Sequence, residues 1–410
     1  DGGYLIGGHS EGDIGFEKSE NNRNDEDYWV IKIDANGNKI WDKTIGGLGA
    51  DILQDMIKTD DGGFLLAGTS YDGNNLGPAF EQSVHQRDSG DYWVVKVDAS
   101  GNKIWDKVYG GFGWEVFSQI IETSDGNFLL AGYSNSDQGF EKSSNSKGSR
   151  DYWVVKIDPN GNVIWDSTIG SDNYDQLKSV VLTSDGGYVL GGTSYGGQSV
   201  DKSEPGRGAS DYWIVKVDAN GNKLWDKTYG GSKSDELSKV FLSPDDELIL
   251  VGDSNSPKGF EKSQGIKNLD GKYREDYWIL RTDLQGGIKE DYTIGGSHID
   301  EAVSAVMVGH NGVAVVGQSF SQSGFDKSEN KNGYTDFWVV NFQFYPYPLL
   351  NIRDFVATCK PCWPWEIWWN FEYRFWDERY GLRSAVYRKP LEVDITMKFT
   401  GKTKKPWPFN

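Results

Sequence analysis

The tripeptide Asp-(Tyr/Phe)-Trp, followed each time by an apolar run, occurs at Asp27, Asp91, Asp151, Asp211, Asp276 and Asp336, with spacings of 64, 60, 60, 65 and 60 residues. A fixed period of this length makes the chain a repeat protein, and the repeat decides the fold. In the fourth copy, residues 177–184 and 187–194 read as strands a and b around a Ser-Asp-Gly-Gly turn. After a long polar loop come residues 211–218 as strand c, the turn Ala219-Asn220-Gly221, and residues 222–231 as strand d. Asn-Gly and Asp-Gly between apolar runs are hairpin signals, because these residues accept the positive φ of tight turns. Strand c is apolar on both faces, as a sheet packed between two neighbours requires.

These features predict an all-β chain: a β-propeller of about six four-stranded blades, with a short aromatic-rich C-terminal β segment. The predicted blades are 1–47, 48–111, 112–170, 171–231, 232–296 and 297–346, followed by residues 347–410. An open solenoid is the alternative, but its units run to 20–45 residues. Six b and six c strands are legible, against five a and five d strands. Either the tail or upstream sequence supplies the missing pair. The chain opens at Asp1, inside a repeat, which is compatible with a piece of a longer protein; a signal peptide, if one existed, lies upstream or has been removed.

Composition narrows the function. A net charge of −19 argues against nucleic acid, whose phosphates need clustered Lys and Arg. No run of 18 apolar residues exists, so membrane insertion through a helix is not expected. The four histidines (His9, His85, His298, His310) follow no repeat. The a–b turns lack the closing Trp of sialidase-type Asp boxes. The expected function is therefore a non-catalytic binding or structural module, with a carbohydrate-active hydrolase or a lectin as the alternative.

The repeats resemble bacterial β-propeller repeats of the SBBP type, whose pattern D-aromatic-V-x-K-x-D-x-x-G-x-x-x-W, G-G-x-x-x-D, D-x-x-G-x-x-Y-V-x-G is matched at Asp211 to Asp235 and Asp185 to Gly192. With Trp-Asp-Lys-Thr and Gly-Phe-Glu-Lys-Ser they look like Bacteroidota surface proteins exported by the type 9 route. The resemblance covers residues 1 to about 345. It is specific for fold rather than function, and implies a secreted or cell-surface protein; the role expected of such a module is that of an adhesin or appendage component with a protein or glycan as partner. Residues 347–410 do not resemble the usual type 9 sorting domain.

Strand parity puts the tight a–b and c–d turns on one face of a propeller and the long b–c loops on the other, where binding usually resides. Those loops carry Gly-Phe-Glu-Lys-Ser at 15–19, 139–143 and 259–263, with variants at 80–83, 200–203 and 324–328. A cation follows in each: Arg23, Arg87, Arg150, Arg207, Arg274 and Lys331. The d–a crossings carry acids at a fixed offset: Asp51, Glu115, Asp175, Asp235 and Asp300. One reading is a pseudo-symmetric site for an anionic or polyhydroxylated ligand. The other is that each cation pairs with an acid of its own or the adjacent blade, and repetition in every copy favours it. The loop Phe reads as a small hydrophobic anchor rather than a ligand platform.

The Asp-x-Asn-Gly-Asn segments beginning at Asp34, Asp158 and Asp218 superficially suggest calcium loops, but Gly comes too early and hairpin turns are the expectation; no cofactor is assigned. The strand-c lysines (Lys32, Lys96, Lys156, Lys216) are expected to pair with an acid, and the strand-d Trp-Asp pairs to pack between blades. The tail holds six tryptophans and a charge of +4, leaving −23 for the repeats. So many aromatics suggest docking or assembly. Cys359 and Cys362 are the two cysteines, and a local disulfide is expected of them.

Overall fold

A computed structural model describes residues 2–23, 25–71, 81–83, 90–267, 274–309 and 311–344, with strand backbones at 355–357, 370–377 and 381–388. No helix occurs among these residues, and the strands fall into six successive antiparallel sheets. The second sheet shows the plan: Asp51–Lys58, Phe64–Ser70, Asp91–Val97 and Lys103–Tyr109, hydrogen-bonded in that order. The third, fourth and fifth repeat it from Glu115–Glu122, Asp175–Leu182 and Asp235–Leu242. The first sheet consists of Tyr4–Ser10, Asp27–Ile33 and Lys39–Ile45. The second to fifth sheets are four-stranded blades of an all-β propeller, and the first has three strands.

The last sheet begins Asp300–Val308, Gly312–Ser319, Asp336–Gln343. It continues through Phe355–Ala357 to the hairpin Asn370–Asp377 and Gly381–Arg388. The tail thus adds a strand at the d position of that sheet, Val339 pairing with Phe355. Cys359 and Cys362 lie outside the described residues.

Register aligns three residues at the loop end of every complete blade. Asp51 faces Ser70, and Ser70 faces Asp91; Glu115, Ser134 and Asp151 do the same, as do Asp235, Ser254 and Asp276. A bulge after the third residue of strand a recurs at Leu53/Asp55, Phe117/Gln119, Leu177/Ser179, Leu237/Lys239 and Ala302/Ser304.

The chain forms two compact units, Asp1–Gly206 with Tyr212–Thr228, and Arg207–Asp211 with Tyr229–Asn410. In the first, each strand-c Tyr packs on the strand-c Trp of the next blade. The rings of Tyr28 and Trp93, Tyr92 and Trp153, and Tyr152 and Trp213 lie 4.9 Å apart. Each Tyr hydroxyl also donates to that Trp's carbonyl, at 3.0, 3.1 and 3.0 Å. The second unit repeats this at Tyr277 and Trp338. All these rings are fully buried. The strand-d Trp41, Trp105 and Trp165 pack against the neighbouring blade's c–d glycine, as expected of that position.

Candidate ligand-binding loops

Four of the b–c loops begin as a small hairpin. Gly15 and Lys18 exchange both backbone hydrogen bonds, as do Gly139 and Lys142, Gly259 and Lys262, and Gly324 and Lys327. The first turn residue is the Phe, held at φ of 49° to 54° in Phe16, Phe140, Phe260 and Phe325. That left-handed region suits Gly or Asn; for a bulky side chain it is strained and persists only where the surroundings impose it. The Phe was expected to anchor the loop. Instead it projects: Phe16 is fully exposed, and Phe140, Phe260 and Phe325 are more than half exposed, as is Val200 at the corresponding place.

The loop is held by the next two positions. The lysine folds inward and is buried in all five copies that have one: Lys18, Lys142, Lys202, Lys262 and Lys327. Lys202 and Lys327 donate to Ser194 and Ser319 (2.9 and 2.8 Å) and to a loop carbonyl, while Lys262 donates to Thr293 at 2.7 Å. Burial pushes Lys142 and Lys262 down to about 8 against the upward pull of Asp151 and Glu115, and of Asp235 and Asp276, respectively. The sequence showed the lysine repeating but not its inward direction.

At four places the acid before the lysine position joins successive loops. Arg23 donates to both Glu81 carboxylate oxygens (3.0 and 2.8 Å), and Arg207 grips Glu261 by Nε and Nη2 (3.1 and 2.9 Å). Lys147 pairs with Asp201, and Lys267 lies 3.7 Å from Asp326. The same acids accept the d–a glycine amides of Gly46, Gly110, Gly170, Gly230 and Gly295. The adjacent-blade pairing anticipated from repetition is therefore what Arg23 and Arg207 make.

Three predicted cations do not occupy that position. Arg23 and Arg207 each donate their backbone amide to the strand-c Asp four residues on; Lys147 and Asn332 do the same in their copies, and Lys267 donates to the strand-c Asp276 nine residues on. The true equivalents of Arg150, Arg274 and Lys331 are thus Lys147, Lys267 and Asn332. Loop-length differences near strand c conceal this in the sequence. Lys331 bonds its own loop at Tyr334, and Arg150 lies over two tyrosine rings, Tyr133 at 5.7 Å and Tyr174 at 5.4 Å. Arg87 lies outside the described residues.

The predicted ring of surface acids is also corrected: Asp51, Glu115, Asp175, Asp235 and Asp300 are all fully buried. Each opens strand a and accepts an amide four residues upstream, from Gly47 (2.6 Å), Gly111 (2.9 Å), Ser171, Gly231 (2.7 Å) and Gly296 (2.6 Å). Ser136, Ser256 and Ser321 add hydroxyl donors to Glu115, Asp235 and Asp300. Burial pushes Asp175 up to about 6 and raises Asp235 and Asp300. The strand-c acids Asp27 and Asp276 are raised in the same way, to about 6 and about 7.

The Trp-Asp position ties strand d to the loop. Asp42 accepts the Trp29 indole N–H (3.2 Å), the Ser19 amide (2.8 Å) and Lys39 (3.1 Å). Burial pushes Asp42 upward, but these donors outweigh it and hold the carboxyl at about 2. Asp106 and Asp226 repeat the arrangement. At the opposite end of the sheets, the strand-c lysines find the expected acids in the a–b turns: Lys96 with Asp61, Lys156 with Asp125 and Lys216 with Asp185, at 2.7 to 2.8 Å.

The Asp34, Asp98, Asp158 and Asp218 segments form turns, each carboxylate accepting the amides two and four residues on at 2.8 to 2.9 Å. Those oxygens are thereby engaged in local bonds. Among the described residues no group of three or more His, Cys, Asp or Glu is arranged to hold a metal ion.

Fold and loops together define a β-propeller whose b–c loops are cross-linked by ion pairs. No family model matches the chain. The regulatory protein FlaEY of Caulobacter vibrioides is 26% identical over 164 residues, which are 39% of this chain and 17% of that protein. The chain therefore spans well under two thirds of this curated relative. Among solved structures, the Neurospora crassa Pan2 WD40 domain is 12% identical with a TM-score of 0.43, covering 90% of this chain and 85% of that one. A mutant Synechocystis apocarotenoid oxygenase is 11% identical with a TM-score of 0.42, covering 94% and 86%. Puromycin hydrolase is 9% identical with a TM-score of 0.43, covering 96% and 52%.

Proposed function

We propose that the chain is a non-catalytic binding or structural module displayed outside the cell or on its surface, as an adhesin or appendage component is, and that its loop tips contact a protein or glycan. The observation that carries this is the exposure of Phe16, Phe140, Phe260 and Phe325, kept at positive φ on loops whose neighbouring lysines are buried. An exposed ring held at a strained φ is little covered by its own loop, which favours contact with a partner. The acids and cations beside it already bond one another or backbone amides, which supports binding over acid–base chemistry. The resemblance to exported Bacteroidota proteins supports the location. The rival reading, a carbohydrate-active hydrolase, predicts product release.

The test is a glycan and surface-protein binding array probed with the whole chain, with the bound sugars analysed afterwards. Binding with unchanged glycans, lost when the four Phe are replaced by Ala, supports the proposal. Cleavage abolished by one acid-to-amide change contradicts it.

A further inference from the structure

A fold needs its devices in every blade, whereas a site needs them once, so departures from the repeat mark a binding position. One group departs together. The residue before strand c is Arg150 in the third blade, but Glu26, Gly90, Ser210, Glu275 and Thr335 elsewhere. The residue before strand a is Trp114 or Tyr174 around that blade, but Ala50, Ser234 and Ile299 in other copies. The penultimate strand-b residue is Tyr133, against His9, Thr69, Thr193, Asp253 and Gln318.

The structure brings these exceptions to one place in the first unit. Arg150 pairs by a backbone bridge with Tyr174, and its guanidinium lies within 6 Å of the Tyr133 and Tyr174 rings. Tyr71 lies within the electrostatic reach of both Arg150 and Tyr133, and it packs beside Gly90, which bridges to Trp114. Tyr71, Trp114 and Tyr174 are each more than a third exposed. Among the described residues Arg150 has no ion pair or hydrogen bond from its side chain, although the chain carries a net −19.

We propose that Arg150, Tyr71, Trp114, Tyr133 and Tyr174 form a binding site for a carboxylate-bearing sugar. The Tyr133 and Tyr174 rings lie 5.7 and 5.4 Å from the guanidinium carbon, and the guanidinium N–H groups have the fork that matches a carboxylate. Trp114, 46% exposed, offers aromatic surface for the apolar side of a sugar ring. The tyrosine hydroxyls supply donors and acceptors for its hydroxyl groups. Burial raises Tyr71 and Tyr133, so both remain protonated donors at neutral pH. A few convergent polar groups among aromatics is the make-up of a ligand site. This site is distinct from the loop-tip phenylalanines and stands or falls separately.

The experiment is calorimetric titration of the whole chain with a galacturonic acid tetramer and with its methyl ester, which removes only the charge. The acid is expected to bind at least tenfold more tightly than the ester. Arg150→Gln should weaken acid binding at least tenfold with unchanged melting temperature, and Arg150→Lys should fall between. Trp114→Ala should weaken acid and ester alike. Equal affinity for acid and ester, no binding of either, or unchanged affinity in Arg150→Gln would each overturn the proposal; so would preference for a glutamate-rich peptide over the sugar. The variant lacking the four loop Phe should bind the tetramer normally, which separates this test from that of the loop tips.

Discussion

The hydroxyl of Tyr92 donates to the carbonyl of Trp153, 3.1 Å away, while the two rings pack at 4.9 Å across adjacent blades. One side chain thus supplies both an apolar contact and a directed bond, and the carbonyl it satisfies is buried. Removing only the hydroxyl, in Tyr92→Phe, is expected to cost about 1 kcal/mol. Trp153→Ala empties a fully buried site and should cost about 3–5 kcal/mol. Denaturant unfolding of both variants checks the ratio; equal effects would mean that ring packing is not the main term.

Arg207 and Glu261 are mostly buried, 15% and 22% exposed, and meet through two guanidinium nitrogens. The pair should therefore contribute more than an open surface ion pair. A double-mutant cycle with Arg207→Ala and Glu261→Ala is expected to give a coupling of about 1–2 kcal/mol. Arg274→Ala, at the position first aligned with Arg207, should show no coupling to Glu261.

The buried carboxyls give stability an unusual pH dependence. Asp27, Asp175 and Asp276 hold protons in the fold up to about 6, 6 and 7, whereas the unfolded chain releases them near pH 4. Between about pH 4 and 7 the folded state binds more protons, so stability falls as pH rises. Lys142 and Lys262 act oppositely. Lowered to about 8, they have lost protons that the unfolded chain keeps to about 10.4, so stability rises from about pH 8 to 10. Melting temperatures across pH 4.5–10 should pass through a trough near pH 7–8, and Asp276→Asn should make it shallower. A maximum there would contradict this account of the buried charges.

The repeat made the blades legible, because alternating apolar strands and Asn-Gly turns are local signals. The direction of the loop side chains was not. Gly-Phe-Glu-Lys-Ser reads as a hydrophobic residue in and charged residues out; the structure has Lys142 in and Phe140 out. The inversion follows from a hairpin that fixes the Phe at positive φ and points the lysine at buried serines and carboxylates. The surface assignment of Asp175 and Asp235 failed for a related reason. Sequence places an acid at a strand start but does not show that two or more donors wait for it below the surface. Loop insertions hid the equivalence of Lys147 with Arg23. The exceptions at Trp114, Tyr133 and Arg150 were visible by comparing copies column by column.

Phe16, fully exposed, tests whether the loop tip is kept for stability or for contact. Replacing a side chain at φ 49° by Gly relieves strain, so Phe16→Gly should be neutral or stabilise by up to about 1 kcal/mol. Under a binding role, the same variant should bind its partner more weakly. Marked destabilisation would return the Phe to the anchoring role expected from sequence.

The most direct test of the central claim follows array binding and glycan turnover in one experiment, with the intact chain and its variant lacking Phe16, Phe140, Phe260 and Phe325. The account predicts saturable binding by the intact chain, no released product over hours, and loss of binding in the variant. Steady product release, or binding indifferent to all four rings, would contradict it.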